Sequence, residues 1–417
     1  MPTRSGAALR ALDERAEAGP GADRIADAGE AIAVAQAIAA SFATGAVDRD
    51  RSGALPRDEI ARLDASGLLS LTVPAEHGGP DVPWRTVAEV VRLLAAADPS
   101  LAQVPQGHLL QLDAARLLGG EALRERVFAT ALAGGRLSSA LAERGGAHAQ
   151  DLRTRLLRRD GLLLLRGRKH YCTGAATAEL IAVNALTEAG RLVIAVVPRD
   201  APGVRPDLEW NAFGQRATVS GSVALDDVPV APSMVLPWGE AFTRPQLIGA
   251  RAQLVHAAIE VGIACGALED GLDFVRTRAR PFFEAAAGGW APTAARDPQT
   301  TRRAGRLATR VEAARALLDR AAAVIDEIGP WPADGHEAAR GSLAVAQAKA
   351  FGSEVALEVA SELFAMGGAG ATDRRLGLDR HWRNARTHSV HDPVDWKYHH
   401  VGAHLLSGTL PPNHGQI

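Results

Sequence analysis

Near the C-terminus two histidines, His388 and His391, stand three residues apart, a spacing that puts both on one face of a helical turn. Imidazole titrates near neutral pH, so such a pair suits proton transfer to or from a reacting oxygen. Two histidines at a helix end can also do no more than hold carbonyl groups. Thr173 offers a hydroxyl that both donates and accepts, which suits holding a labile proton; in a strand, a Thr is also simply a good β-former. Aromatic residues make up only 4% of the chain, which makes Tyr171 and Trp210 candidates for lining a pocket, with plain packing as the alternative. Gly367-Gly368-Ala369-Gly370 would let backbone N–H groups approach an anion, or would end a helix. Neither cysteine, Cys172 or Cys265, belongs to a group with metal-ligand spacing, so no metal site is expected.

Three compositional zones must position these residues. From about 21 to 137 the apolar residues recur at helical spacing, for example Val87, Val90, Val91 and Leu94, interrupted by the turn Val73-Pro74-Ala75-Glu76-His77-Gly78-Gly79-Pro80. The first 20 residues are expected to be frayed. From about 138 to 236 short runs read as strands: Leu162–Leu165, Leu180–Val183, Leu192–Val197 and Ser222–Leu225, with spacing that suggests an antiparallel barrel or sandwich. Helix returns at 250–277, 300–328 and 336–366, with a last helix near 392–408 and a loop at 281–299 that suits a lid. The expected domains are 1–137, 138–236 and 237–417, an α+β fold that is mainly α. No glycine-rich Rossmann or phosphate-loop fingerprint is present.

Composition narrows the partners. The net charge of -2 gives no electrostatic pull toward nucleic acid or an anionic membrane, and no run of about 20 apolar residues would span a bilayer. Two cysteines make no disulfide framework and no secretory leader is apparent, so a reducing cytoplasm is the expected compartment. Of 46 basic residues only Lys169, Lys349 and Lys397 are lysine, a bias that itself carries no functional conclusion.

Ser66-Gly67-Leu68-Leu69-Ser70-Leu71-Thr72-Val73-Pro74-Ala75-Glu76-His77-Gly78-Gly79 resembles the N-terminal signature of acyl-CoA dehydrogenases. Asp98–Ala102, Ala142-Glu143-Arg144-Gly145, Gly167–Ala175 and Phe213-Gly214-Gln215-Arg216 follow in the expected order. The run His381–Val394, continued by Trp396-Lys397-Tyr398-His399-His400, is similar to the reduced-flavin monooxygenases of sulfur metabolism within that superfamily. The resemblance covers roughly residues 55 to 410. It implies a helical N-terminal domain, a middle β-barrel and a C-terminal four-helix bundle, assembled as a homotetramer. It also implies a two-component flavin-dependent monooxygenase. Reduced FMN would come from a separate NAD(P)H-dependent flavin reductase, and O2 would react through a flavin hydroperoxide to oxygenate a small organic substrate, organosulfur compounds among the candidates. The rival readings are an acyl-CoA dehydrogenase carrying FAD and a paralogue that has lost its flavin.

The resemblance also assigns roles. Aligned with the dehydrogenase pattern, Asp392 falls at the α-proton base, one methylene short and followed by Pro393, while His391 stands beside it as the proton-transfer group, with His388 as a second candidate. Thr173 corresponds to the hydroxyl near the flavin's redox nitrogen, with Tyr171 beside it. Ser139 stands where the sulfur monooxygenases commonly carry Asn. Arg278 corresponds to a bundle arginine that reaches a flavin phosphate, often across a subunit interface, and Gly368, Ala369 and Gly370 to a flavin-facing turn. Trp210, Gln106 and His108 are the expected substrate-pocket residues. Ser139, Gln106 and His108 depart from the pattern, so the family's substrate does not carry over.

Overall fold

In the computed structural model, residues 22–148 and 150–417 are described; the expectation for the first 20 residues lies outside them. Helices fill the first part up to Glu121–Leu132, and several begin as their sequences dictate. Asp27 and Asp98 each accept a backbone N–H of the first turn, and Pro99 follows Asp98 at the first helical position. In the turn 73–80, Gly78 takes a positive φ of 85°, and a Cβ on Gly79 would lie 2.1 Å from the Val73 carbonyl oxygen.

The middle part is one eight-stranded sheet: β1 (Leu137–Ala140), β2 (Arg155–Arg159), β3 (Leu162–Cys172), β4 (Leu180–Thr187), β5 (Leu192–Pro198), β6 (Val204–Asp207), β7 (Gly221–Val230) and β8 (Val235–Leu236). The order is β6-β7-β3-β2-β4-β5-β8, with β1 attached to β4. Most pairings are antiparallel, as expected, but β1 and β2 both run parallel to β4. The spacing of the apolar runs could not reveal this, because β1 (Leu-Ser-Ser-Ala) and β2 (Arg-Leu-Leu-Arg-Arg) are short and polar.

The last part is built on three long helices, Ile248–Thr277, Pro298–Ile328 and Gly335–Gly367. The 281–299 segment, expected as a loop, contains the short helix Phe283–Ala287 and a turn at Ala294–Arg296. Ile248–Thr277 is long and apolar enough to cross a membrane, yet 83% of its apolar window is buried inside the protein, where it forms the centre of the largest core. The last helix, expected near 392–408, is Val394–Ser407, and a helix that was not expected, Asp379–Ser389, precedes it. The chain leaves helical geometry before Pro393 because proline disfavours the helical conformation of the residue preceding it. The break exposes His391 and turns Asp392 inward.

Candidate active site

The Asp379–Ser389 helix is fastened on several sides. His381 Nε2 and Arg380 reach Asp270 at 2.8 and 2.6 Å, Arg383 forks onto Asp50 at 3.1 and 2.5 Å, and Asn384 accepts the backbone N–H of Gln215 at 2.6 Å. The motif is thus mostly scaffold, and its products are the positions of His388 and His391. His388 is buried: Nδ1 lies 2.7 Å from Glu260 Oε1, and Nε2 lies 3.1 Å from both His256 Nδ1 and Gln103 Oε1. His391 is open, with a side chain 44% exposed, and its ring lies against His256 with centroids 4.2 Å apart. The two motif histidines therefore do not form one exposed face; His256, which sequence reasoning missed, lies against both.

Asp392 occupies a different environment from a general base. It is buried, bridged by Lys349 Nζ at 3.0 Å and by Lys397 Nζ at 2.8 Å, and faces His391 Nδ1 at 3.3 Å. Burial alone would raise its pKa, but the His391 hydrogen bond and the two ammonium groups outweigh burial and hold it well below the usual carboxylate range. A carboxylate held that far down is a poor proton acceptor. His391 sits in a recess where loss of water pushes its pKa below the ordinary value, opposed by Asp392 and reinforced by Lys349. The anion beside Nδ1 keeps a proton on that nitrogen, so Nε2 is the atom that can exchange one.

Tyr171 and Thr173 lie at the C-terminal end of β3. Its register with β7 jumps from His170↔Ser222 to Cys172↔Gly221, leaving Tyr171 as a bulged residue with a positive φ of 59°. The bulge turns Tyr171 outward, 52% exposed, edge-on to Trp210 at 6.4 Å and with the Arg144 guanidinium 5.2 Å from its ring centre. Trp210 Nε1 donates to the Gln215 carbonyl at 2.9 Å. Thr173 Oγ1 lies 2.6 Å from Ser220 Oγ, which in turn reaches Thr218 at 2.9 Å, while Ser138 donates to the Thr173 carbonyl at 2.8 Å. Glu143 anchors the neighbouring motif. It accepts from buried Lys169 at 2.7 Å and from two backbone N–H groups, and although burial opposes ionisation these partners bring its pKa down to about 2.

Residues of the first domain contact both His388 and Ser139 of β1. Gln103, which meets His388, ends the Pro99–Gln103 helix; Gly107, one residue beyond Gln106, accepts from Ser139 Oγ at 3.1 Å, and Gln111 donates to the same oxygen at 2.9 Å. Ser139 is therefore occupied at both ends of its hydroxyl by one helix of the N-terminal domain, Gln106–Leu118. Gln106 is half-buried at the start of the helix that follows. His108 corrects an expectation. It is fully buried, with Nε2 donating to the Leu69 carbonyl at 2.7 Å and Nδ1 accepting from the Leu137 N–H at 3.1 Å. Both ring nitrogens are used within the core, so it is not a pocket residue. Burial, opposed in part by the Leu69 bond, lowers its pKa to about 4.

Arg278 is exposed just beyond the Ile248–Thr277 helix, on the rim of the bundle. Gly368, with φ 66°, closes the Gly335–Gly367 helix by donating to the Phe364 carbonyl at 2.8 Å, and Gly368, Ala369 and Gly370 lie exposed beyond it. The residues suit a flavin. Exposed aromatic edges, a Thr–Ser hydroxyl pair and an open imidazole offer both apolar and hydrogen-bonding surface. Gln215, 3% exposed, has a side-chain amide with no partner among the described residues. A buried unpaired amide is what a missing polar ligand leaves.

Residues 31–135, 139–228 and 254–396 match the acyl-CoA dehydrogenase N-terminal, middle and C-terminal domains. Dibenzothiophene monooxygenase of Rhodococcus erythropolis is 35% identical over 406 residues, covering 91% of this chain and 94% of that protein. A probable FMNH2-dependent monooxygenase SfnC of Pseudomonas putida is 35% identical over 394 residues, covering 91% and 96%. The FMN-bound crystal structure of TdsC from Paenibacillus sp. A11-2 superposes with a TM-score of 0.87 at 31% identity, covering 93% of this chain and 100% of that one. This chain belongs to the acyl-CoA dehydrogenase family, in the branch of the flavin-dependent monooxygenases.

Proposed function

We infer that this protein is a flavin-dependent monooxygenase that uses reduced FMN and O2 to oxygenate a small organosulfur substrate. The observation that carries this reading over the dehydrogenase is the pairing of Asp392 with Lys349 and Lys397 beside an open His391. The FMN in the Paenibacillus structure and the FMNH2 in the name of the Pseudomonas relative favour FMN over FAD. A separate NAD(P)H-dependent reductase supplies it reduced, which suits the cytoplasm.

Bound reduced FMN supplies two electrons, so that one atom of dioxygen enters the substrate and the other leaves as water. The chain's residues have the following roles in this reading. Thr173, whose one hydroxyl proton goes to Ser220, offers its oxygen as an acceptor to the polar edge of the ring system, and Tyr171 packs beside it. His391 Nε2 takes up a proton and returns it at the reacting oxygen, while Asp392 fixes the proton on Nδ1. Trp210 and Gln106 shape the substrate side, and Ser139 holds the domain seam. Arg278 and the Gly368–Gly370 turn serve the phosphate, with Arg278 reaching a neighbouring copy's flavin; the assembly is then at least a dimer, and a tetramer by the family pattern.

Binding measurements with both flavins test the reading. Reduced FMN should bind more tightly than oxidised FMN, and oxygen consumption should require a reductase or a chemical reductant. Co-purified FAD together with anaerobic oxidation of an acyl-CoA would restore the dehydrogenase instead.

A further inference from the structure

The Ile248–Thr277 helix is apolar along most of its buried length, yet at its centre it carries His256 and Glu260, four residues apart and 2% and 0% exposed. That spacing stacks them on one face. A carboxylate in such a place is costly unless paired, and an apolar pair would pack the bundle more simply. Glu260 Oε1 meets His388 Nδ1 at 2.7 Å, and His388 Nε2 meets His256 Nδ1 at 3.1 Å. The His256 ring then lies against His391, with planes 32° apart.

We propose that Glu260, His388 and His256 form a buried hydrogen-bonded chain that positions the His391 ring for proton exchange. The inference rests on the reading of His391 as the proton-transfer group. Glu260 fixes a proton on His388 Nδ1 and thereby the plane of that ring, because the bond made by one imidazole nitrogen sets the state of the other. The Nε2 contact fixes His256, and His256 supplies the flat support for His391. No proton travels along the chain, since His256 and His391 meet by ring faces; His391 exchanges its proton through its open side. The charged and titratable groups around the stack come from four segments: Glu260 on the same helix as His256, Lys349 on Gly335–Gly367, His388 and Asp392 flanking His391, and Lys397 on Val394–Ser407. Gln103 closes the remaining side at 3.1 Å from His388.

The test uses His256→Phe, which keeps a ring but cuts the chain, and Glu260→Gln, which keeps the shape but removes the charge, with His391→Ala alongside. Turnover of dibenzothiophene with reduced FMN is measured across pH, and the His391 ring is titrated by NMR in the flavin-free protein, a readout that needs no substrate. Both chain variants should lower kcat by about ten- to a hundred-fold, the scale of a small misplacement, with KM little changed and the His391 titration displaced. Wild-type kcat and an unmoved titration in His256→Phe, while His391→Ala is inactive, would overturn this inference alone. Wild-type turnover by His391→Ala would overturn the reading beneath it. If Glu260→Gln does not fold, His256→Phe decides.

Discussion

The rings of His256 and His391 lie 4.2 Å apart, so that an open histidine is seated on a fully buried one. Loss of water drives both toward the neutral form, and His256 lies well below its ordinary value. The open member of the stack is therefore neutral at neutral pH and ready to accept a proton at Nε2.

His391→Ala should reduce product formation by about a hundred- to ten-thousand-fold, the usual contribution of general acid–base assistance. Melting temperature and FMN affinity should change little, because the ring is half outside the core. In the wild type, activity that needs the neutral ring should persist below the ordinary histidine value of about 6.5 and fall only as pH drops through the lowered one. The alanine variant should lose that acid limb. A steady-state pH profile and a thermal melt check all three expectations.

Asp392→Asn behaves differently. Lys349 and Lys397 are 0% and 3% exposed, and removing the carboxylate leaves two buried ammonium groups facing each other without a counter-charge. Breaking a buried pair from one side typically costs about 3–5 kcal/mol. Urea unfolding should show a loss on that scale, so any fall in activity must be read against stability. Asp392→Asn with wild-type stability would mean that the two lysines find other partners.

Acid should weaken the fold through buried neutral histidines. His108 moves from 6.5 unfolded to about 4 folded, so between those values the unfolded chain binds the extra proton and stability falls as pH falls. The loss amounts to about 2 kcal/mol at pH 5 relative to neutral pH and levels off below about pH 4. His256 acts in the same direction. Chemical denaturation at pH 7.5 and pH 5 measures the slope, and His108→Gln, which retains a donor toward the Leu69 carbonyl, should flatten it.

The helical and β zones were legible because apolar periodicity follows burial, and the motif histidines were legible as a resemblance. The residues that give the site its character were not, because they come from other helices. His256 and Glu260 are two polar letters in an apolar run, and only the fold shows that they face His388. Lysine usage held a signal that could have been read: all three lysines among 46 basic residues are buried, two of them on Asp392. His108 misled because the resemblance put its position at the substrate pocket, while both its nitrogens close backbone gaps between Leu69 and Leu137. The Asp379–Ser389 helix before the break was missed because its residues are mostly polar and charged and show no apolar periodicity.

The most direct test of the central claim is isotopic. Purified protein, FMN, a flavin reductase with NADH, and 18O2 are incubated with dibenzothiophene among a panel of organosulfur compounds, and the products are analysed by mass spectrometry. A monooxygenase predicts one 18O atom in the product per turnover, dependent on the reductase and lost in His391→Ala. Product oxygen derived from water, or flavin-dependent oxidation of an acyl-CoA with no labelled product from any sulfur compound, would contradict it.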